Sequence, residues 1–173
     1  MGHRKRVKVW DRFIRLFHWS LAGIFLTNMT MTEEGSDWHQ WLGYIALALL
    51  LLRLIWGFIG SESSRWHTFW PGLTRLQQWY KGQWHPPVIT HTPPGALMMI
   101  TLMLLILGLG ITGYMMEEID YFWGEDWVEE LHGLIADSIM LLIPLHVLAA
   151  IRESWQKKDN LITGMIHGYR RLD

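Results

Sequence analysis

The chain has 173 residues, half of them hydrophobic and twelve of them tryptophan, with a formal net charge of −1 and no cysteine. Its length suits one domain, and that apolar, tryptophan-rich composition points away from an ordinary soluble fold. The lack of thiols excludes disulfides, thiolate zinc sites, iron–sulfur clusters and covalent c-type haem attachment.

The N-terminal "MGHRKRVKVW" is basic, and no small-residue cleavage site follows the next apolar run, so an uncleaved first membrane span is expected. Crossing about 30 Å of hydrocarbon takes roughly 20 apolar residues. Four segments qualify, at about 13–31, 38–60, 95–116 and 129–151. Within the second, the run "YIALALLLLRLIWGFIG" is apolar on every face except at Arg53, and the third carries no charge until Glu117. A soluble helix would need a polar face. The expected fold is therefore an all-α membrane protein, a single-domain bundle of four transmembrane helices.

Charge placement predicts the orientation. All fifteen lysines and arginines fall in the N-terminal arm and first turn, at Arg53, in the 61–94 connection, or after span four. The other two connections carry ten carboxylates and no cation: Glu33, Glu34 and Asp37, then Glu117, Glu118, Asp120, Glu125, Asp126, Glu129 and Glu130. The positive-inside rule puts both termini and the 61–94 loop in the cytoplasm, and the carboxylates in the periplasm if the membrane is a bacterial inner membrane. The 61–94 loop holds four tryptophans suited to headgroup depth and two proline pairs that break helix. The tail, about 155–172, spaces Leu161, Ile162, Met165, Ile166 and Tyr169 as an amphipathic helix on the membrane surface would, a plain solvated helix being the alternative.

Span four carries His132 and His146, fourteen residues apart. That spacing is about 21 Å of helix and returns to within roughly 40° of the same face. His39 opens span two on the outer side and His18 lies a turn into span one on the inner side. The histidines thus sort by depth into an outer pair, His39 with His132, and an inner pair, His18 with His146. Two imidazoles from facing helices fill both axial positions of a haem iron in a bundle core, so two stacked b haems are expected. Arg53, fourteen residues after His39, lies on the same face of span two at the inner depth, and Arg15 is at the inner rim; both suit haem propionates. An interfacial histidine is the alternative at each position taken singly, and metal transport would want nearby carboxylates where only Asp137 is at hand, off the histidine face. His91, before Pro93, suits a hydrogen bond to propionate or quinone; His3, His67, His85 and His167 read as surface or interface residues.

The segments "VWDRFIRLFHW", "HQWLGYIALALLLLRLIWGFIGS", "HTPPGALMM", "ELHGLIADSIMLLIPLHV" and "ESWQKKDNLITGMIHG" resemble, in order and over most of the chain, the bacterial cytochrome b-561 family that includes nickel-iron hydrogenase cytochrome b subunits. The resemblance implies a four-helix bundle with two noncovalent b haems, with ligands on spans one, two and four that carry over to His18, His39, His132 and His146. It also implies electron exchange between a membrane quinone and a redox partner on the outer side. The chain departs from the family in being short and in having a very acidic outer face. The acidic rim suggests a cationic partner such as a c-type cytochrome or a hydrogenase-like subunit; no nucleic acid is expected. The alternative is a stand-alone superoxide:quinone oxidoreductase. The quinone site is expected near the inner haem, lined by the 61–94 loop and the tail.

Overall fold

The computed structural model describes residues 5–85 and 88–172; His3 and the Pro86–Pro87 pair lie outside them. Among the described residues the order is β1 (Lys5–Lys8), α1 (Arg12–Thr30), α2 (Asp37–Ile59), α3 (Trp66–Phe69), α4 (Leu73–Tyr80), α5 (Pro93–Glu118), α6 (Asp126–Lys157), α7 (Leu161–His167) and β2 (Tyr169–Leu172). Helices α2, α5 and α6 are long and apolar enough to cross a membrane. Exposed Leu51, Phe58, Leu104, Ile111, Leu141 and Leu148 lie along them, a pattern suited to lipid contact. The expected first span is helical as α1, but it falls short of that measure, which α2, α5 and α6 alone meet. Its 19 residues begin with Arg12 and include Arg15, so its fully apolar stretch is shorter than about 30 Å.

The chain divides into two contact units, one of residues 1–16, 54–99 and 144–173, the other of residues 17–53 and 100–143. In the first, Val9, Trp10 and Ile14 form a buried cluster with Phe13, Trp56, Ile89 and Met165 packed on it. The expected helical tail is helix only through α7, after which the last residues pair with the N-terminal arm as an antiparallel ribbon, Lys5 opposite Leu172 and Lys8 opposite Tyr169. Gly168 makes this turn. Its φ is +88°, and its carbonyl accepts from the backbone N–H groups of Val9 and Trp10 at 2.8 and 3.1 Å. A Cβ there would lie 2.6 Å from the Trp10 carbonyl oxygen, so both the left-handed backbone and the close approach require glycine. The first part of the 61–94 connection is folded: Trp66 donates from its indole to the Leu54 carbonyl at 3.1 Å, and Arg75 donates to the carbonyls of His67, Thr68 and Trp70.

Asp11 ties these segments together. One carboxylate oxygen accepts the Ile14 N–H at 2.9 Å, capping α1, while the other accepts from Trp56 at 3.0 Å, Ser61 at 2.6 Å and Ser64 at 3.0 Å. Burial alone would raise its pKa, but hydrogen bonds from Ser61, Ile14, Trp56 and Ser64 outweigh that and hold it below the ordinary 3.8. Asp11→Ala removes a cap and strands three side-chain donors, so a loss of about 2–4 kcal/mol is expected. Because the folded pKa is the lower one, this stabilisation is complete above the unfolded value of about 3.9 and fades as pH falls through the folded value. Thermal unfolding of wild type and variant should therefore differ clearly at neutral pH and converge in acid; a gap that persists undiminished in strong acid would contradict this.

In the second unit, α1 turns Phe17, Leu21 and Phe25 inward, four residues apart on one helix face. Small residues on α5 let its neighbours approach. A Cβ at Gly110 would lie 2.9 Å from Leu47 of α2, and one at Gly108 would lie 3.2 Å from Ile135 of α6. Such small-residue contacts are how helices associate where hydrocarbon offers no hydrophobic drive.

Candidate functional site

The second unit brings His39 and His132 together, with ring centres 6.2 Å apart and planes at 57°. His39 is set by the start of α2. Ser36 accepts the His39 backbone N–H at 3.3 Å as an N-cap, and the Asn28 side-chain amide, from α1, donates to the His39 carbonyl at 3.1 Å. His132 sits in the second turn of α6, which opens with Asp126 and Glu129 in its first turn, where carboxylates complement the helix dipole.

Thr112 on α5 decides the chemistry of the His132 ring. It is buried, and its hydroxyl donates to the Gly108 carbonyl one turn back at 2.9 Å. With its single proton on that carbonyl, the hydroxyl accepts in the 2.8 Å contact with His132 Nδ1, an arrangement that goes with the tautomer protonated on Nδ1. The neutral ring then keeps a lone pair on Nε2, the form a metal ligand requires. Thr32 stands in a similar relation to His39, donating to the Asn28 carbonyl at 2.9 Å with its oxygen 3.5 Å from His39 Nδ1.

The pair fits a haem iron in number and in distance. His39 and His132, with ring centres 6.2 Å apart, would hold the iron between them, and the bound haem would supply one-electron chemistry. No group of three or more His, Asp or Glu side chains converges as a metal cage among the described residues. Two imidazoles would be enough to hold a haem, whose macrocycle brings its own four nitrogens.

The other expected site residues fall in both units. His18 is half-buried on α1 in the second unit, edge-on to Trp19 with ring centres 5.1 Å apart. His146 is half-buried on α6 in the first unit, two residues after Pro144, whose missing N–H leaves the helix ladder one bond short beside it. Arg53 is only 2 % exposed, the most buried charged side chain among the described residues. Arg15 donates to the Ile166 carbonyl at 2.5 Å and to the Asp11 carbonyl at 3.4 Å, so part of its guanidinium holds the tail against α1. His91 packs between Trp10 and Phe69, with ring centres 4.6 and 5.2 Å away. Thr112, Thr32 and Asn28 are absent from the sequence-based set. The only signal for Thr112 and Asn28 is a polar residue within an apolar span, Thr32 stands in the acidic connection after α1, and α5 has one other threonine, Thr101, that looks the same in sequence.

Residues 9–168 match the family described as prokaryotic cytochrome b561. The chain is 24 % identical to a probable Ni/Fe-hydrogenase B-type cytochrome subunit of Bradyrhizobium diazoefficiens, covering 98 % of this chain and 87 % of that protein. It is 22 % identical to the counterpart in Rhizobium leguminosarum bv. viciae, covering 96 % and 90 %. With the probable Ni/Fe-hydrogenase 1 B-type cytochrome subunit of Escherichia coli strain K12 it shares 23 % identity over 94 % of this chain and 89 % of that protein. A b-type cytochrome holds haem b, and with no cysteine in the chain the attachment is noncovalent. The match takes in every long helix and both contact units, and the chain belongs to the prokaryotic cytochrome b561 family of membrane electron-transport proteins.

Proposed function

We propose that the chain carries electrons across a bacterial inner membrane, between a quinone and a redox protein docked on the acidic side, through two b haems. His39 with His132 would hold one haem, and His18 with His146 the other. The observation that carries the reading is the outer pair: two rings 6.2 Å apart, one of them set by Thr112 to present Nε2. Bound haem supplies the one-electron chemistry, and the protein supplies position and electrostatics. Arg53 and Arg15 offer cations to propionates, since a guanidinium keeps its charge at any depth and pairs with carboxylates bidentately.

For the quinone, the first unit offers a groove of about 360 Å³ lined by Leu76, Gln77, Trp79, Tyr80, Lys81 and Pro94, its exposed surface mostly apolar, at the start of α5. Both termini and the 61–94 connection would face the cytoplasm. On the opposite side all ten carboxylates of the two cation-free connections are exposed. They favour a cationic partner, either a c-type cytochrome or, as the names of the relatives suggest, a hydrogenase subunit. They also oppose superoxide as a substrate, because an anion would be repelled at that mouth.

The test is quinol-driven reduction of the haem protein in lipid nanodiscs. Quinol should reduce both haems, and a quinone head-group analogue should shift the spectrum of the haem that His18→Ala removes. An analogue that perturbs only the haem lost in His132→Ala would place the quinone at the other end and overturn the assignment.

A further inference from the structure

A cavity of about 420 Å³ opens in the first unit where α6 ends, walled by α7 and the terminal ribbon. Its described lining holds four cations, Arg6, Lys158, Arg170 and Arg171, against the single carboxylate of Asp159. That carboxylate is engaged within the protein. Arg170 donates to it at 2.8 Å with both side chains nearly buried, and its other oxygen accepts the Arg171 backbone N–H at 3.2 Å. The cavity therefore keeps a net positive charge.

Two features place cations at this cavity at a cost to folding. In the ribbon, Arg6 lies directly opposite Arg171, and like charges facing each other across a strand pair are destabilising. At the end of α6, Lys158 has φ of +50°, and the Asp159 N–H reaches back to the Ser154 carbonyl at 3.2 Å. That is the helix-terminating loop in which glycine is favoured. A lysine held there keeps a cation on the cavity wall at the cost of backbone strain. His167 adds a donor: its Nδ1 accepts the Tyr169 N–H at 3.1 Å, so the neutral ring carries its proton on Nε2.

Depth identifies the source of the anion. The cavity begins where a membrane-crossing helix stops, and Trp155, 83 % exposed, lies on its rim. Tryptophan at a helix end marks the headgroup layer, and basic pockets at that depth suit lipid phosphates. We propose that this cavity binds the phosphodiester of an anionic phospholipid headgroup and so fastens the terminal ribbon to the membrane surface.

The test is native mass spectrometry of the full haem-loaded chain titrated with phosphatidylglycerol or phosphatidylcholine. Saturable binding of phosphatidylglycerol over phosphatidylcholine is expected. Lys158→Gly should weaken it about fivefold, and Arg6→Gln with Arg171→Gln together about 25-fold, since each cation near an anionic surface contributes about a factor of five. Lys158→Gly should unfold at or above the wild-type temperature in phosphatidylcholine, because it relieves the left-handed backbone, which separates lost binding from lost folding. Equal binding of the two lipids, or variants that bind as wild type does, would overturn the proposal. Displacement of phosphatidylglycerol by millimolar inorganic phosphate would do so too, by showing a site for soluble phosphate compounds instead.

Discussion

Alanine in place of His132 is expected to halve the haem content of the purified chain, from two per chain to one, and His39→Ala should do the same. With either ring lost, the proposed site would keep one protein ligand, and no third imidazole joins the pair at 6.2 Å among the described residues. Haem extracted into acidified organic solvent and set against protein mass measures the ratio directly, and the remaining haem should keep a low-spin, paired-imidazole spectrum. Thr112→Val should give a graded version of the same effect. It preserves shape and both ligands but removes the acceptor that holds the His132 proton on Nδ1. Removing such an outer-shell partner typically costs about 10–100-fold in metal affinity, and a shifted potential for that haem should accompany it. A wild-type ratio of one haem per chain, or His132→Ala that keeps two, would refute the paired-histidine arrangement.

Neutralising Glu125, Asp126, Glu129 and Glu130 together is expected to slow electron transfer to a cationic c-type cytochrome about 10–100-fold at low ionic strength. These four carboxylates are all exposed and lead directly into the turn of α6 that carries His132. A partner drawn to them would dock near the outer histidine pair. Screening sets the form of the experiment. The Debye length shrinks from about 30 Å at 0.01 M salt to about 3 Å at 1 M, so wild-type rates should fall steeply with salt while the quadruple variant stays nearly flat and the two meet at high salt. Superoxide should behave in the opposite sense, reacting faster with the variant than with wild type. Rates that ignore both the substitutions and the salt would show that these charges serve topology alone.

Sequence alone determined the features that depend on local composition and helical period. Long apolar runs have few ways to satisfy their backbone in hydrocarbon except as helix, so the positions of α2, α5 and α6 were legible, although α6 runs on to Lys157, six residues past the expected end. The fourteen-residue spacings from His39 to Arg53 and from His132 to His146 were legible because a helix returns a side chain to nearly the same face at that interval. Tertiary structure decided what depends on helix rotation and on distant segments meeting. Nothing in the α5 sequence distinguishes Thr112 from Thr101; only the rotation of α5 against α6 aims Thr112 at His132 Nδ1. The ribbon pairs residues 5–8 with residues 169–172, and two four-residue strands at opposite ends of a chain carry no local pattern that announces their partner. The four donors around Asp11 come from α1, α2 and the turn after it. A carboxylate next to a basic arm reads in sequence as a surface charge, and becomes a structural one only when burial and four hydrogen bonds converge on it.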